Sequence, residues 1–175
     1  MRKNIPKNFI IDVDGVMTDG KFYYSEKGKI FKCFGPDDND ALKLLNNYIA
    51  IQFVTGDKKG FKITKKRITD MKLKVQLVST IKRLEWIKEN FNLSEVIYMG
   101  DGIFDHYTMR EVGYSISPAN ADDNCKKYAN FVTKRNGGDR AVSEACLHIL
   151  KKFFKIYFYK KNIPKNIKFS GGWNS

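Results

Sequence analysis

Two aspartates one residue apart, Asp12 and Asp14, close a short apolar run and are followed by Gly15. If the chain turns sharply there, both carboxylates can reach one phosphate. One can attack phosphorus and form an aspartyl phosphate, while the other protonates the leaving alkoxide and later deprotonates the hydrolytic water. A transferring phosphoryl group spreads negative charge over its oxygens, so such a reaction is mostly a matter of positioning and electrostatics. Parts suited to that task follow in order. Thr55 can supply a hydroxyl, Lys82 a cation, Asp101 an oxygen ligand for a hard ion such as magnesium, and Asp105 a group that orients this ligand or its waters. Taken singly, each has a plainer reading: a solvated turn for the aspartate pair, a strand-end cap for Thr55, a solvated helix lysine for Lys82 and a helix cap for Asp105. His106 can touch a substrate or sit at the surface of a helix start, and His148 reads as a bystander.

The elements that must position these residues are legible as alternating strands and helices. Apolar runs at 8–13, 49–54, 75–78 and 96–99 predict buried strands, with weaker ones at 114–117 and 130–132. Runs at 21–24 and 29–34 around Ser-Glu-Lys-Gly predict a hairpin after the first strand. Helices are expected after Pro36, with Leu42, Leu44 and Leu45 on the apolar side, over much of 58–71, after a cap at Ser79 or Thr80 with Ile81, Leu84, Ile87 and Phe91 inward, and from 139 onward. The fold class is therefore α/β, with a Rossmann-like, mostly parallel sheet covered by helices on both faces. Ligands in such folds lie at the carboxyl ends of strands, where the clusters around Asp12, Thr55 and Asp101 would converge.

The 175 residues suffice for one core, and no insertion large enough for a cap domain is evident. Residues 1–160 are expected to form the domain, with the hairpin at about 20–34, and residues 161–175 a flexible C-terminal tail carrying Trp173. Cys33, Cys125 and Cys146 are odd in number and lack a CxxC spacing, which suggests neither a disulfide framework nor a cysteine zinc site and fits a reducing cytoplasm. The basic start is broken by Asp12 and Asp14, unlike a secretory leader, and no spanning segment is read. The net charge of +13 is spread along an asparagine-rich chain, so solvated faces are expected and neither a nucleic-acid nor a membrane partner. The segment 153–161 is expected to pack on its own domain or on a sister subunit rather than on a membrane surface.

Four stretches, DVDG at 12–15, TG at 55–56, Lys82 and GDGIFD at 100–105, resemble the four motifs of the haloacid dehalogenase superfamily in order and spacing. Asp14 favours its phosphoryl-transfer members over the dehalogenases. The resemblance implies Asp12 as nucleophile, Asp14 as general acid/base, Thr55, Gly56 and Lys82 as phosphate ligands, and Asp12, the Asp14 carbonyl and Asp101 as the Mg2+ site, with Asp105 behind it.

DVDGVMTDG, the hairpin, KxF at 32–34, Asp38, Gly137-Gly138 and Glu144 further resemble the capless branch typified by 3-deoxy-D-manno-octulosonate 8-phosphate phosphatases, over about 8–150. That implies a magnesium-dependent phosphomonoester hydrolase. Its substrate would be a small phosphorylated metabolite, a sugar phosphate of bacterial capsule or lipopolysaccharide biosynthesis. It also implies a homotetramer built through the hairpins, with one subunit's tail near a neighbour's site. Where the branch has an arginine before the glutamate, this chain has Ser143, which argues against an ulosonate acid unless the nearby Arg140 compensates. Three other readings stay in view: a fold that binds or assembles without turnover, a phosphomutase, and a basic nucleic-acid-binding protein.

Overall fold

The computed structural model describes residues 5–157. Among them β1 (Asn8–Asp12), β4 (Ala50–Thr55), β5 (Lys74–Leu77), β6 (Val96–Met99), β7 (Tyr114–Ser117) and β8 (Phe131–Val132) form a parallel sheet in the order β5-β4-β1-β6-β7-β8. β2 (Tyr23–Ser25) and β3 (Gly28–Phe31) pair antiparallel as a separate hairpin, and no cap domain is built on it. The helices are α1 (Asp37–Leu45), α2 (Phe61–Asp70), α3 (Arg83–Asn90), α4 (Asp105–Met109), α5 (Asp123–Tyr128) and α6 (Ala141–Phe154).

The central strands are mostly apolar on both sides, Phe9–Ile11 of β1 and all of β6 included, because both of their faces are covered. Phe9 and Ile11 of β1, with Ile97 and Met99 of β6, enter a core completed by Leu42 and Leu45 of α1 and Val142, Ile149 and Leu150 of α6. The alternate residues Ile10, Val96 and Tyr98 enter a second core with Ile87, Met109 and Cys125. After β1 the chain builds outward through β4 and β5, then returns to pair β6 on the other side of β1. The crevice at this reversal lies at the carboxyl ends of β1 and β6, the usual ligand position of an open α/β sheet.

One local expectation is corrected. The helix expected from Ser79 or Thr80 begins as a 3-10 turn, Thr80–Lys82, and only becomes α-helical at Arg83; Ile81 is therefore 76% exposed instead of facing the core. α4 and α5, of 5 and 6 residues, carry too few turns to show an apolar period; α4 starts at Asp105, where the sequence offers a helix start, and α5 has no such signal. The segment 153–161 falls partly outside the described residues, but its start packs on its own domain, with Phe153 edge-on to Tyr114 and Phe154 against Tyr48. The tail at 161–175 and Trp173 lie outside the described residues, and among those described no helix is long and apolar enough to cross a membrane.

Candidate active site

Asp12 is the last residue of β1, where the chain leaves the sheet and turns at once: the amides of Val16, Met17 and Thr18 all donate to the Val13 carbonyl. Gly15 adopts φ +91°, and a Cβ there would stand 1.9 Å from Asp101 Oδ2, so the turn can press its backbone against that carboxylate only with glycine. Gly138 supports the same turn from α6's side, its amide donating to the Val16 carbonyl at 3.1 Å. Asp101 follows β6, and oxygens of Asp12, Asp101 and Asp105 all lie within 4.8 Å of one another.

The cation among these carboxylates is Arg83. Its Nη1 donates to Asp12 Oδ2 at 2.9 Å, to Asp105 Oδ1 at 2.8 Å and to the Tyr98 hydroxyl at 2.8 Å, and the side chain is 1% exposed. Lys82, the cation expected from the sequence, is exposed at the end of the 3-10 turn and makes no ion pair among the described residues. The two are neighbours in the chain, and helix phase decides between them. Arg83 and Ile87, one turn apart, share the buried side of α3, a spacing that could have singled out the arginine.

Asp105 is fully engaged. Its Oδ1 accepts from Arg83 and from the Tyr98 hydroxyl at 2.5 Å, and its Oδ2 from the amides of Asp101 and Gly102 at 3.1 and 2.9 Å. With no lone pair facing outward in excess, it suits orientation of the Asp101 loop better than direct ligation. The Asp101 carboxylate, by contrast, receives no hydrogen bond among the described residues. Burial, then the charges of Asp12 and Asp105, push Asp101 up to about 8. Burial likewise lifts Asp12 to about 7, against the opposing pull of Arg83. One guanidinium thus stands against three crowded carboxylates, and a small dication with oxygen preference fits the deficit. Asp12 and Asp101 would hold it.

On the other side of the turn, the Thr55 hydroxyl donates to Asp14 Oδ2 at 2.8 Å and accepts from the Asp57 amide. Thr55 is buried at the end of β4, while Gly56 beside it is exposed. Lys32, just past β3, lies 2.6 Å from Asp14 Oδ1 and 2.8 Å from Asp57 Oδ2. Asp57 is itself buried enough to raise its pKa, but its bonds from Lys29, Lys32 and the Gly60 amide outweigh this and lower it to about 2. Neither Asp57 nor Arg83 was singled out as a site residue, and Lys32 only as part of KxF.

The remaining expected residues lie around this centre. His106 on α4 contacts the Ile103 carbonyl at 2.9 Å and stands beside Tyr107, half-buried. His148 stacks on Phe131 and bonds the Tyr114 hydroxyl, a packing role. Arg140 pairs with Asp37 at 2.5 Å and, with Asp38, Asp139 and Gly138, borders a cavity of about 210 Å³. Asp38 accepts from the Ser143 amide at 2.8 Å, and Glu144 from those of Lys134 and Arg135.

The sequence and the fold that carry this site are similar to those of known proteins. The family described as haloacid dehalogenase-like hydrolase matches residues 17–145. The chain belongs to that family and is an enzyme of its phosphatase type. It is 30% identical to 3-deoxy-D-manno-octulosonate 8-phosphate phosphatase KdsC of Yersinia pestis, over 81% of this chain and 78% of the relative. The crystal structure of the Moraxella catarrhalis 3-deoxy-D-manno-octulosonate 8-phosphate phosphatase, in complex with magnesium, phosphate and KDO, superposes with a TM-score of 0.76 at 28% identity, covering 85% of this chain and 88% of that one. The cobalt-bound Haemophilus influenzae enzyme gives a TM-score of 0.76 at 27% identity, covering 86% and 91%.

Proposed function

We propose that this protein is a magnesium-dependent phosphomonoesterase that removes phosphate from a sugar phosphate of bacterial surface-polysaccharide synthesis, through an aspartyl phosphate on Asp12. The observation that carries the reading is the electrostatic imbalance at the ends of β1 and β6, where, among the described residues, Arg83 alone pairs with this cluster of Asp12, Asp101 and Asp105. Asp12 attacks phosphorus as the bond to the leaving alkoxide breaks. Asp14 gives that alkoxide its proton, then takes one from the water that hydrolyses the phosphoenzyme. Arg83 holds Asp12 in place and neutralises charge beside it, and Thr55 and Gly56 border the phosphate on the β4 side. Asp12 and Asp101, with the Asp14 carbonyl, would hold magnesium, which would supply positive charge against the phosphoryl oxygens. Lys82 is left without a part.

The similar phosphatases act, by their names, on 3-deoxy-D-manno-octulosonate 8-phosphate, which supports a sugar phosphate here. Ser143 and the engagement of Arg140 by Asp37 leave fewer free cations for a substrate carboxylate. Exposed Tyr23, Tyr24 and Phe31 on the hairpin favour burial against further copies of the chain, in a homotetramer. Three free thiols suit the cytoplasm. Phosphate release from 3-deoxy-D-manno-octulosonate 8-phosphate and from simple hexose and pentose phosphates, with magnesium present, tests the proposal. Release from none of them by folded protein overturns the substrate class.

A further inference from the structure

We infer that Lys32 is a positioning residue that sets the Asp14 carboxylate for proton transfer and is itself set by Asp57, which gives the hairpin a part in turnover. The inference rests on the acid/base role proposed for Asp14. An ammonium group is seldom buried unless it is paired, and the Lys32 side chain is 0% exposed. Its Nζ touches Asp14 Oδ1 at 2.6 Å and Asp57 Oδ2 at 2.8 Å, and donates to Thr64 Oγ1 at 2.8 Å. Asp14 Oδ2 is taken by the Thr55 hydroxyl at 2.8 Å. With Oδ2 hydrogen-bonded by Thr55 and Oδ1 held by the charge of Lys32, rotation of the carboxylate about its last bond is restrained, and a proton donor that must meet a leaving oxygen gains from such restraint.

Asp57 has the same relation to Lys32. Lys29 holds its Oδ2 at 2.5 Å while lying 3.2 Å from the centre of the Phe22 ring, and the Gly60 amide donates to Oδ1 at 3.0 Å. A side chain at residue 60 would push its neighbours aside: a Cβ would come within 2.1 Å of Asp57 Oδ2 and 2.9 Å of Lys32 Cε. Residues of the hairpin and of the segment after β4 thus close around the lysine, and through it reach Asp14.

A leaving-group comparison tests this. Lys32→Met is expected to slow hydrolysis of the sugar phosphate that the wild type accepts by about 10- to 100-fold, part of the roughly 10²–10⁴ range of general acid/base catalysis. Both losses are read in kcat/KM, which ends at phosphoryl transfer to Asp12 and so excludes the phosphoenzyme hydrolysis that the two esters share; there the same variant should slow p-nitrophenyl phosphate, whose leaving group needs no proton, less than about threefold. Equal losses in kcat/KM on both esters overturn the role, since they describe phosphate binding or general damage. Gly60→Ala, which dislodges Asp57 while keeping every charged group, should give the same pattern more weakly and serves if Lys32→Met does not fold. Crystal structures of wild type and either variant decide the positioning step apart from turnover: Asp14 rotated off Thr55 supports it, and Asp14 unmoved overturns it. A wild type inactive on both esters would count against the sugar-phosphate reading alone, leaving the structural comparison to judge Lys32.

Discussion

Two clusters of buried charge flank the turn after β1, and they are balanced differently. On the β4 side, Lys29 and Lys32 stand against Asp14 and Asp57, and the lysines hold Asp57 as a carboxylate down to about 2. On the β6 side, Arg83 alone among the described residues stands against Asp12, Asp101 and Asp105, and burial with mutual repulsion lifts Asp12 to about 7 and Asp101 to about 8. Burying an ion is tolerated when it is paired and penalised when it is not. The paired cluster therefore fixes its groups in place, Asp14 among them, and the unpaired one marks where charge is still to be supplied. Sites that bind a cation are built at the cost of stability in its absence.

The sharpest break in this contrast is Asp12→Asn, which removes the attacking oxygen and is expected to lower phosphate release by about 10⁴-fold or more, as loss of a nucleophile does elsewhere. A variant keeping near-wild-type release excludes Asp12 as nucleophile. Next in size, Arg83→Met should cost on the order of 10²–10³-fold in kcat, the range for losing one preorganised electrostatic donor, while Lys82→Met changes little. The reverse ranking would return the role to the lysine.

Metal removal probes the imbalance itself. Chelator-treated protein is expected to be inactive and to regain activity with magnesium, and saturating magnesium should raise the melting temperature, by about 2.7 kcal/mol of stability at a hundredfold excess over Kd. Asp101→Asn should abolish that rise. Because the folded Asp101 has its pKa raised from 3.8 to about 8, it stabilises the metal-free fold at low pH and loses that contribution as pH rises toward 8. The metal-free Asn variant should therefore melt above metal-free wild type at pH 9, and an equal or lower melting point would show that the cluster is not strained.

The smallest effect belongs to Asp38, away from both clusters. Burial raises its pKa from 3.8 to about 6, against the Ser143 amide, so its stabilising protonated form is lost as pH climbs through that window. Asp38→Asn is expected to gain on the order of 2 kcal/mol at pH 8 and nothing at pH 3.5, read from paired denaturation curves. A pH-independent difference would mean that the Asn acts through packing.

Much of this was open to a reader of the chain. Apolar runs such as FIID and VIYM must lie in strands covered on both faces, because nothing else buries every residue of so short a stretch, and polar groups must then gather where the runs stop. That reasoning reaches Asp12, Asp14, Thr55, Asp101 and Asp105 from local order alone. It does not reach Arg83, since a 3-10 turn of three residues sets the phase of α3 and carries Arg83 inward and Lys82 outward. Nor does it reach Lys32 and Asp57, which are 25 positions apart and meet only when the hairpin folds down beside the end of β4. Residue type and order within a strand or turn follow from short-range sterics and burial, whereas the pairing of charges across elements depends on how those elements pack, a long-range outcome with no local signature.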